Sequence, residues 1–80
     1  MNTHRLKCHS EQFRALTRYK KKAEFRKNDR NYQVGDGLDL VEWDPINDEP
    51  MSNTFRCVVT HIVHGPAFGI PEGYCMMSIG

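Results

Sequence analysis

Apolar and polar positions alternate along most of this chain at the two-residue period of a β-strand, and helical spacing occurs in one place only. Thr3 to Cys8 alternates with Leu6 and Cys8 on one face and predicts a first strand. From Glu11 to about Tyr19, Phe13 and Leu16 make an apolar helical stripe. Ser10 precedes that stripe as a capping residue, with Glu11 in the first turn and Arg18 and Lys20 at the far end, as the helix dipole prefers. Ala23 to Lys27 predicts a second strand and Leu38 to Trp43 a third. Thr54 to His64 is the longest β run, and Tyr74 to Ile79 closes as a final strand. Between them, Asn28 to Gly37 is rich in turn formers, with Gly35 suited to positive φ beside Asp36. Asp44 to Asn53 and Gly65 to Gly73 each hold two prolines and read as loops. The fold class expected is mixed α+β, mainly β: a small twisted barrel of five or six strands with one helix between the first two. Residues 1–80 read as a single domain, with Phe25, Leu38, Leu40, Val59 and Ile79 in its core.

Composition narrows the class. The hydrophobic fraction of 39% and charged fraction of 26% are those of a globular chain. No apolar run approaches the roughly 20 residues of a membrane-spanning helix, and the N-terminus lacks the apolar stretch of a signal peptide, so a cytoplasmic, non-membrane protein is expected. The three cysteines, Cys8, Cys57 and Cys75, form no C-x-x-C pair and are expected to be free thiols. His61 and His64 stand three apart on a strand and face opposite sides, while His4 and His9 read as surface or capping residues. No metal and no cofactor are expected. Trp43 shares a strand face with Val41, which favours burial; Trp43 and Tyr32 suit either the core or base stacking. Phe68 to Pro71 is apolar for a loop and suits folding back over the barrel's end, a lid or a partner contact.

Charge changes the picture most. Residues 1–30 carry +7 and the remainder −6, which leaves the chain at +1 overall. Such a dipolar chain can dock a polyanion on one side while staying near neutral. The densest basic group brackets the second strand: Lys20, Lys21, Lys22, Arg26, Lys27 and Arg30. Alternation puts Lys22, Glu24, Arg26 and Asn28 on one face of that strand and Ala23 and Phe25 on the other, toward the core. A carboxylate beside a guanidinium is compatible with a rim salt bridge. It is equally compatible with a cleft where Arg26 binds a phosphate or base edge and Glu24 accepts from a base amino group. The candidate ligand-binding residues are thus Lys20, Lys21, Lys22, Glu24, Arg26 and Asn28, with Lys21 and Glu24 the candidate proton carriers if the site is catalytic. His64, beside Gly65, is a further candidate acid or base at the cleft mouth.

The run FRKNDRNYQVGDGLDL, followed by EWDP, VVTHIVHG, FGIPEGY and a terminal MSI, resembles a small bacterial and phage family of unknown function in the ASCH group of the PUA-like superfamily. The resemblance spans His4 to Ile79 and rests on E-x-R-K-N-D-R followed by V-G-D. It implies a PUA-like β-barrel with a helix beside a cleft, and an RNA-binding role. One ASCH relative, an amidohydrolase of acetylated cytidine, carries G-[RK]-K-T-x-T-x-R, whose lysine falls on Lys21 and arginine on Arg26. Its catalytic threonine falls on Glu24, and its catalytic glutamate lies in an insertion where this chain has only GPAFGIPEG. Other ASCH proteins resemble ribonucleases. The leading expectation is a monomeric RNA- or nucleotide-binding module, with a small hydrolase of RNA or a modified nucleoside as the alternative. A third reading is a contact with a protein partner through the acidic loop Asp44 to Glu49.

Overall fold

The computed structural model describes residues 1–80 and contains one helix and five strands. In chain order they are β1 (Thr3–His9), α1 (Ser10–Thr17), β2 (Ala23–Lys27), β3 (Gly37–Asp44), β4 (Glu49–His64) and β5 (Tyr74–Ile79). The strands form one sheet in the order β1-β3-β4-β5-β2. The β1–β3 pair is parallel and every other pair is antiparallel.

β4 organises this sheet. Up to Val58 it pairs with β3, and from Val59 it pairs with β5, with a register shift between Val59 and His61. A bulge of that kind bends a strand and raises its local twist. The sheet curls there, and the edge strands β1 and β2 come to face each other. They do not form a ladder, so the sheet is not closed into the barrel expected from the strand spacing. One hydrogen bond spans the gap, from Arg26 Nη2 to the carbonyl oxygen of Lys7 at 2.9 Å. Charged side chains stand in the seam where backbone pairing would otherwise complete the circle.

Inside the curl lie Leu6 and Cys8 of β1, Leu38 and Leu40 of β3, Cys57 and Val59 of β4, and Cys75 and Met77 of β5. Phe13 and Leu16 dock α1 on this core, as their spacing predicts. The helix ends at Thr17 rather than near Tyr19, which adopts φ 57° and turns the chain toward β2. Its start also differs. His9 holds the capping position without a side-chain bond, and Ser10 Oγ donates instead to Glu42 Oε2. Glu42 also accepts from Asn53 Nδ2 at 3.0 Å, and these bonds hold its carboxyl below the usual range.

Three further expectations are corrected. In β2 the faces are reversed: Glu24 points inward and is 3% exposed, whereas Phe25 is 48% exposed and stacks on Tyr74. The reason is register. Glu24 lies opposite buried Met77 and Phe25 opposite exposed Met76, and a one-residue slip in a strand exchanges its faces. The loop expected from Asp44 to Asn53 is a tight hairpin turn, because β4 begins at Glu49. Asp44 Oδ1 accepts the Ile46 N–H at 2.9 Å, and Trp43 Nε1 donates to Asp48 Oδ1 at 2.9 Å. Trp43 and Ile79 are only partly buried, the latter packed against the core's margin. Leu38, Leu40 and Val59 are buried as expected.

Asp36, expected only as a turn residue, is a buried hub. It accepts from His4 Nε2 at 2.9 Å, the Gln33 N–H at 3.0 Å and the Asn2 N–H at 3.1 Å. His4 is accordingly a partner in this network rather than a surface residue, and its ring meets buried Tyr32 edge-on. Gly35 takes φ 95° to make the turn. The His4 bond, then the Asn2 N–H, lower the Asp36 pKa from 3.8 to about 2. The folded-state pKa thus lies below the unfolded one, so the unfolded chain takes up this proton first. The contribution is complete above pH 3.8 and is lost as pH falls toward about 2. Thermal midpoints measured across that window should decline in the wild type. In Asp36→Asn they should start lower and decline less. Parallel declines in the two proteins would remove Asp36 as the cause.

Candidate ligand-binding cleft

The seam between β1 and β2 opens as a cleft of about 240 Å³ lined largely by polar side chains. One wall comes from Lys7, Cys8 and His9 of β1 and Gln12 of α1. The other comes from Lys21, Glu24, Phe25 and Arg26. Glu24 anchors it. Its Oε2 accepts from Arg26 Nε at 2.8 Å and its Oε1 from Lys21 Nζ at 3.3 Å. Both cations are partly exposed, Lys21 by 30% and Arg26 by 24%.

The local chain explains why these three meet. Arg26 stands two residues from Glu24 on the same strand face, so their side chains run alongside each other. Lys21 reaches in from the turn after α1, which the N–H groups of Lys20 and Lys21 tie to the Ala15 carbonyl. Two cations on one carboxylate leave a net positive group. A carboxylate offers about four acceptor positions and a guanidinium five N–H donors. Two acceptor positions are filled on Glu24, and Arg26 uses two donors, one on Glu24 and one on Lys7. Donor capacity therefore remains on the partly exposed Lys21 and Arg26, above a Glu24 carboxylate that is almost wholly covered.

Of the six residues expected to bind ligand, the structure brings Lys21, Glu24 and Arg26 together in this cleft. Lys20 and Lys22 are exposed on the turn before β2. Asn28 is engaged in the following turn, where its Oδ1 accepts the Tyr32 N–H at 3.0 Å. Lys7, Cys8, His9 and Gln12 were not legible as site residues, because only the curl of β4 sets β1 opposite β2. Burial first, and the Glu24 charge second, push the Cys8 thiol up to about 11. Burial likewise pushes Cys57 to about 11, and all three cysteines are buried and unpaired. His64 lies on β4 opposite Cys75 and lines no cleft. No three His, Cys, Asp or Glu side chains converge in a metal-binding group. No helix is long and apolar enough to cross a membrane. A second opening, of about 300 Å³, lies beyond Lys21 between Leu16, Tyr19, Phe55 and Ile79, and it lacks converging polar groups apart from Lys21 and Lys22.

A curled, mixed five-stranded sheet with one short helix and a charged seam defines a small α+β domain that is mainly β. The chain belongs to the family described as a domain of unknown function, DUF3850, whose profile matches residues 3–79. It is similar to an "Uncharacterized 12.9 kDa protein in GpA 3'region" of Escherichia phage P2, with 52% identity over 40 residues. That match covers 50% of this chain and 37% of the phage protein's length.

Proposed function

We propose that this domain is a PUA/ASCH-like binding module for RNA or a nucleotide, held in the cleft around Glu24 and Arg26. The observation that carries this reading is the convergence of Lys21, Glu24 and Arg26 on one concave, polar site. The net positive triad favours an anionic ligand. Glu24 has acceptor capacity for a base amino group, and Arg26 has donors for a phosphate or base edge. Exposed Lys20 and Lys22 stand nearby to meet the backbone through charge alone. Phe25 lines the cleft wall with nearly half its surface exposed and one ring face against Tyr74, and its remaining aromatic surface supports base stacking. The volume, about 240 Å³, lies just under the usual range of small-molecule sites and suits one base or phosphate, with the rest of the ligand outside.

The alternative is a hydrolase of RNA or a modified nucleoside in the same cleft. Lys21 Nζ, 3.3 Å from a buried carboxylate, favours it as a proton-carrying pair.

One set of measurements tests both. Labelled short single-stranded RNAs should bind weakly by fluorescence anisotropy. Lys20→Ala with Lys22→Ala should weaken all sequences alike, and Glu24→Gln should alter the preference among sequences. Absence of RNA or nucleotide binding even at low salt would sink the module reading. Product analysis after incubation with short RNAs and acetylated cytidine addresses the hydrolase. Metal-independent turnover abolished by Lys21→Ala would put it first.

A further inference from the structure

The seam does not end at the Glu24 cleft. Beyond Arg26 it opens into a second groove, of about 370 Å³. Arg5 and Lys7 of β1, Arg26 and Lys27 of β2, and Arg30 of the following turn supply five cations to its lining, against one acid, Asp29. This groove and the Glu24 cleft share Lys7 and Arg26, whose hydrogen bond crosses the seam between them, so they lie in succession along it.

Most of this charge is unpaired. Lys21, Arg26, Arg56 and His4 account for the ion pairs of the molecule, and Arg5, Lys7, Lys27 and Arg30 take part in none. Arg5 has an acid as its cross-strand neighbour, Asp39, but Arg56 Nη1 holds that carboxylate at 3.3 Å. The Lys7 ammonium lies 4.3 Å from the centre of the Trp43 ring, which positions a cation without neutralising it. Arg5 and Lys7 stand two apart on β1 and project to the same side, away from core residues Leu6 and Cys8. Cations gathered in a groove with a single acid repel one another, and a linear polyanion relieves that repulsion at several points at once.

We infer that this second groove binds the phosphates of a single-stranded nucleic acid lying along the seam, and that the ligand is an oligonucleotide rather than a single nucleotide. This rests on the reading of the Glu24 cleft as a nucleotide site and extends it: one unit enters that cleft, and its neighbours' phosphates pass over Arg5, Lys27 and Arg30. Arg26 touches both stretches and marks the junction between them.

The test sets a labelled oligouridylate of about eight nucleotides, a length within the footprint of small single-strand binders, against uridine monophosphate. Both are titrated into the wild type and into the triple variant Arg5→Ala, Lys27→Ala, Arg30→Ala. These side chains are exposed and unpaired, so circular dichroism should show the variant folded. Its oligonucleotide affinity should fall about tenfold or more, and its salt dependence should flatten by about 0.7 in slope for each phosphate the variant no longer neutralises. Its affinity for uridine monophosphate should stay at the wild-type value. Unchanged oligonucleotide affinity and slope in the variant would overturn the inference while leaving the Glu24 cleft intact. Equal binding of polyglutamate, abolished equally in the variant, would overturn the assignment to nucleic acid. Binding of neither nucleotide nor oligonucleotide by the wild type would overturn this inference and the cleft reading together.

Discussion

Arg26→Ala is expected to lower the thermal midpoint by about 10 °C, even though the side chain is partly exposed. The guanidinium does two things that no neighbour duplicates. Its Nε donates to Glu24 Oε2 at 2.8 Å, and its Nη2 donates to the Lys7 carbonyl at 2.9 Å, the hydrogen bond that spans the β1–β2 gap. Without it, a carboxylate that is 3% exposed keeps only the Lys21 ammonium at 3.3 Å. Hydrogen bonds to charged groups contribute about 1.5–3 kcal/mol each, and leaving a buried charged acceptor short of donors adds a desolvation cost. The partial exposure of Arg26 screens part of this, so about 2 kcal/mol is a fair total. A domain of this size loses about 4–8 °C for each kcal/mol. Arg26→Lys should recover little, because an ammonium lacks the fork that reaches both acceptors. Thermal unfolding followed by circular dichroism checks this, and a midpoint within about 2 °C of wild type for Arg26→Ala would mean that the seam bond contributes almost nothing.

Gly65→Ala is expected to be worse still, about 3 kcal/mol or more, in a loop that carries no proposed ligand contact. A β-carbon there would sit 1.9 Å from the Pro71 carbonyl oxygen and 2.6 Å from its carbon. Both are backbone atoms, which cannot swing aside as a side chain does. The surroundings are tied: the Gly65 N–H donates to the Tyr74 carbonyl at 2.9 Å, and Ala67 and Ile70 exchange bonds at 3.2 and 2.7 Å. Overpacking a well-packed site costs about 1–3 kcal/mol, and displacing backbone belongs at the upper end. Gly69→Ala is the control. Its β-carbon would meet nothing within 4 Å, so only its φ of 80° resists the change. That cost is about 1–2 kcal/mol. Denaturant unfolding of both variants should rank Gly65→Ala well below Gly69→Ala, and equal stabilities would show that the loop yields at Pro71.

Where local pattern decides structure, the chain is readable. The Leu6/Cys8 and Leu38/Leu40 pairs alternate because each has core on one side only, and Phe13 and Leu16 sit one helical turn apart for the same reason. β2 misleads because its five residues offer a phenylalanine and a glutamate to opposite faces, and intrinsic preference puts the phenylalanine inside. Pairing with β5 and the approach of two cations reverse that choice. Lys21, Glu24 and Arg26 were legible as a set because they stand close in sequence. Their opposite wall was not, since Lys7, Cys8, His9 and Gln12 reach them only through the bend of β4 near Val59. Asp36 escaped for a similar reason: a carboxylate in a turn of Asn, Asp and Gly looks solvated until His4 and Asn2 arrive from the N-terminal strand and the residue just before it.

The order of strands across the sheet also bears on how the chain assembles. β3, β4 and β5 are consecutive and pair as neighbours, so their ladders close short loops at little entropic cost. β1 must find β3 in parallel, joining Thr3 to Gly37, and β2 must skip two strands to reach β5. Those non-local pairings cost more chain entropy before any hydrogen bond is returned. By loop-closure entropy the central meander is thus the easiest part of the fold to nucleate, and the two strands that build the seam form the costliest joint. The ligand proposed for the seam would act on that joint, and its binding free energy would add to the resistance of the whole chain to unfolding.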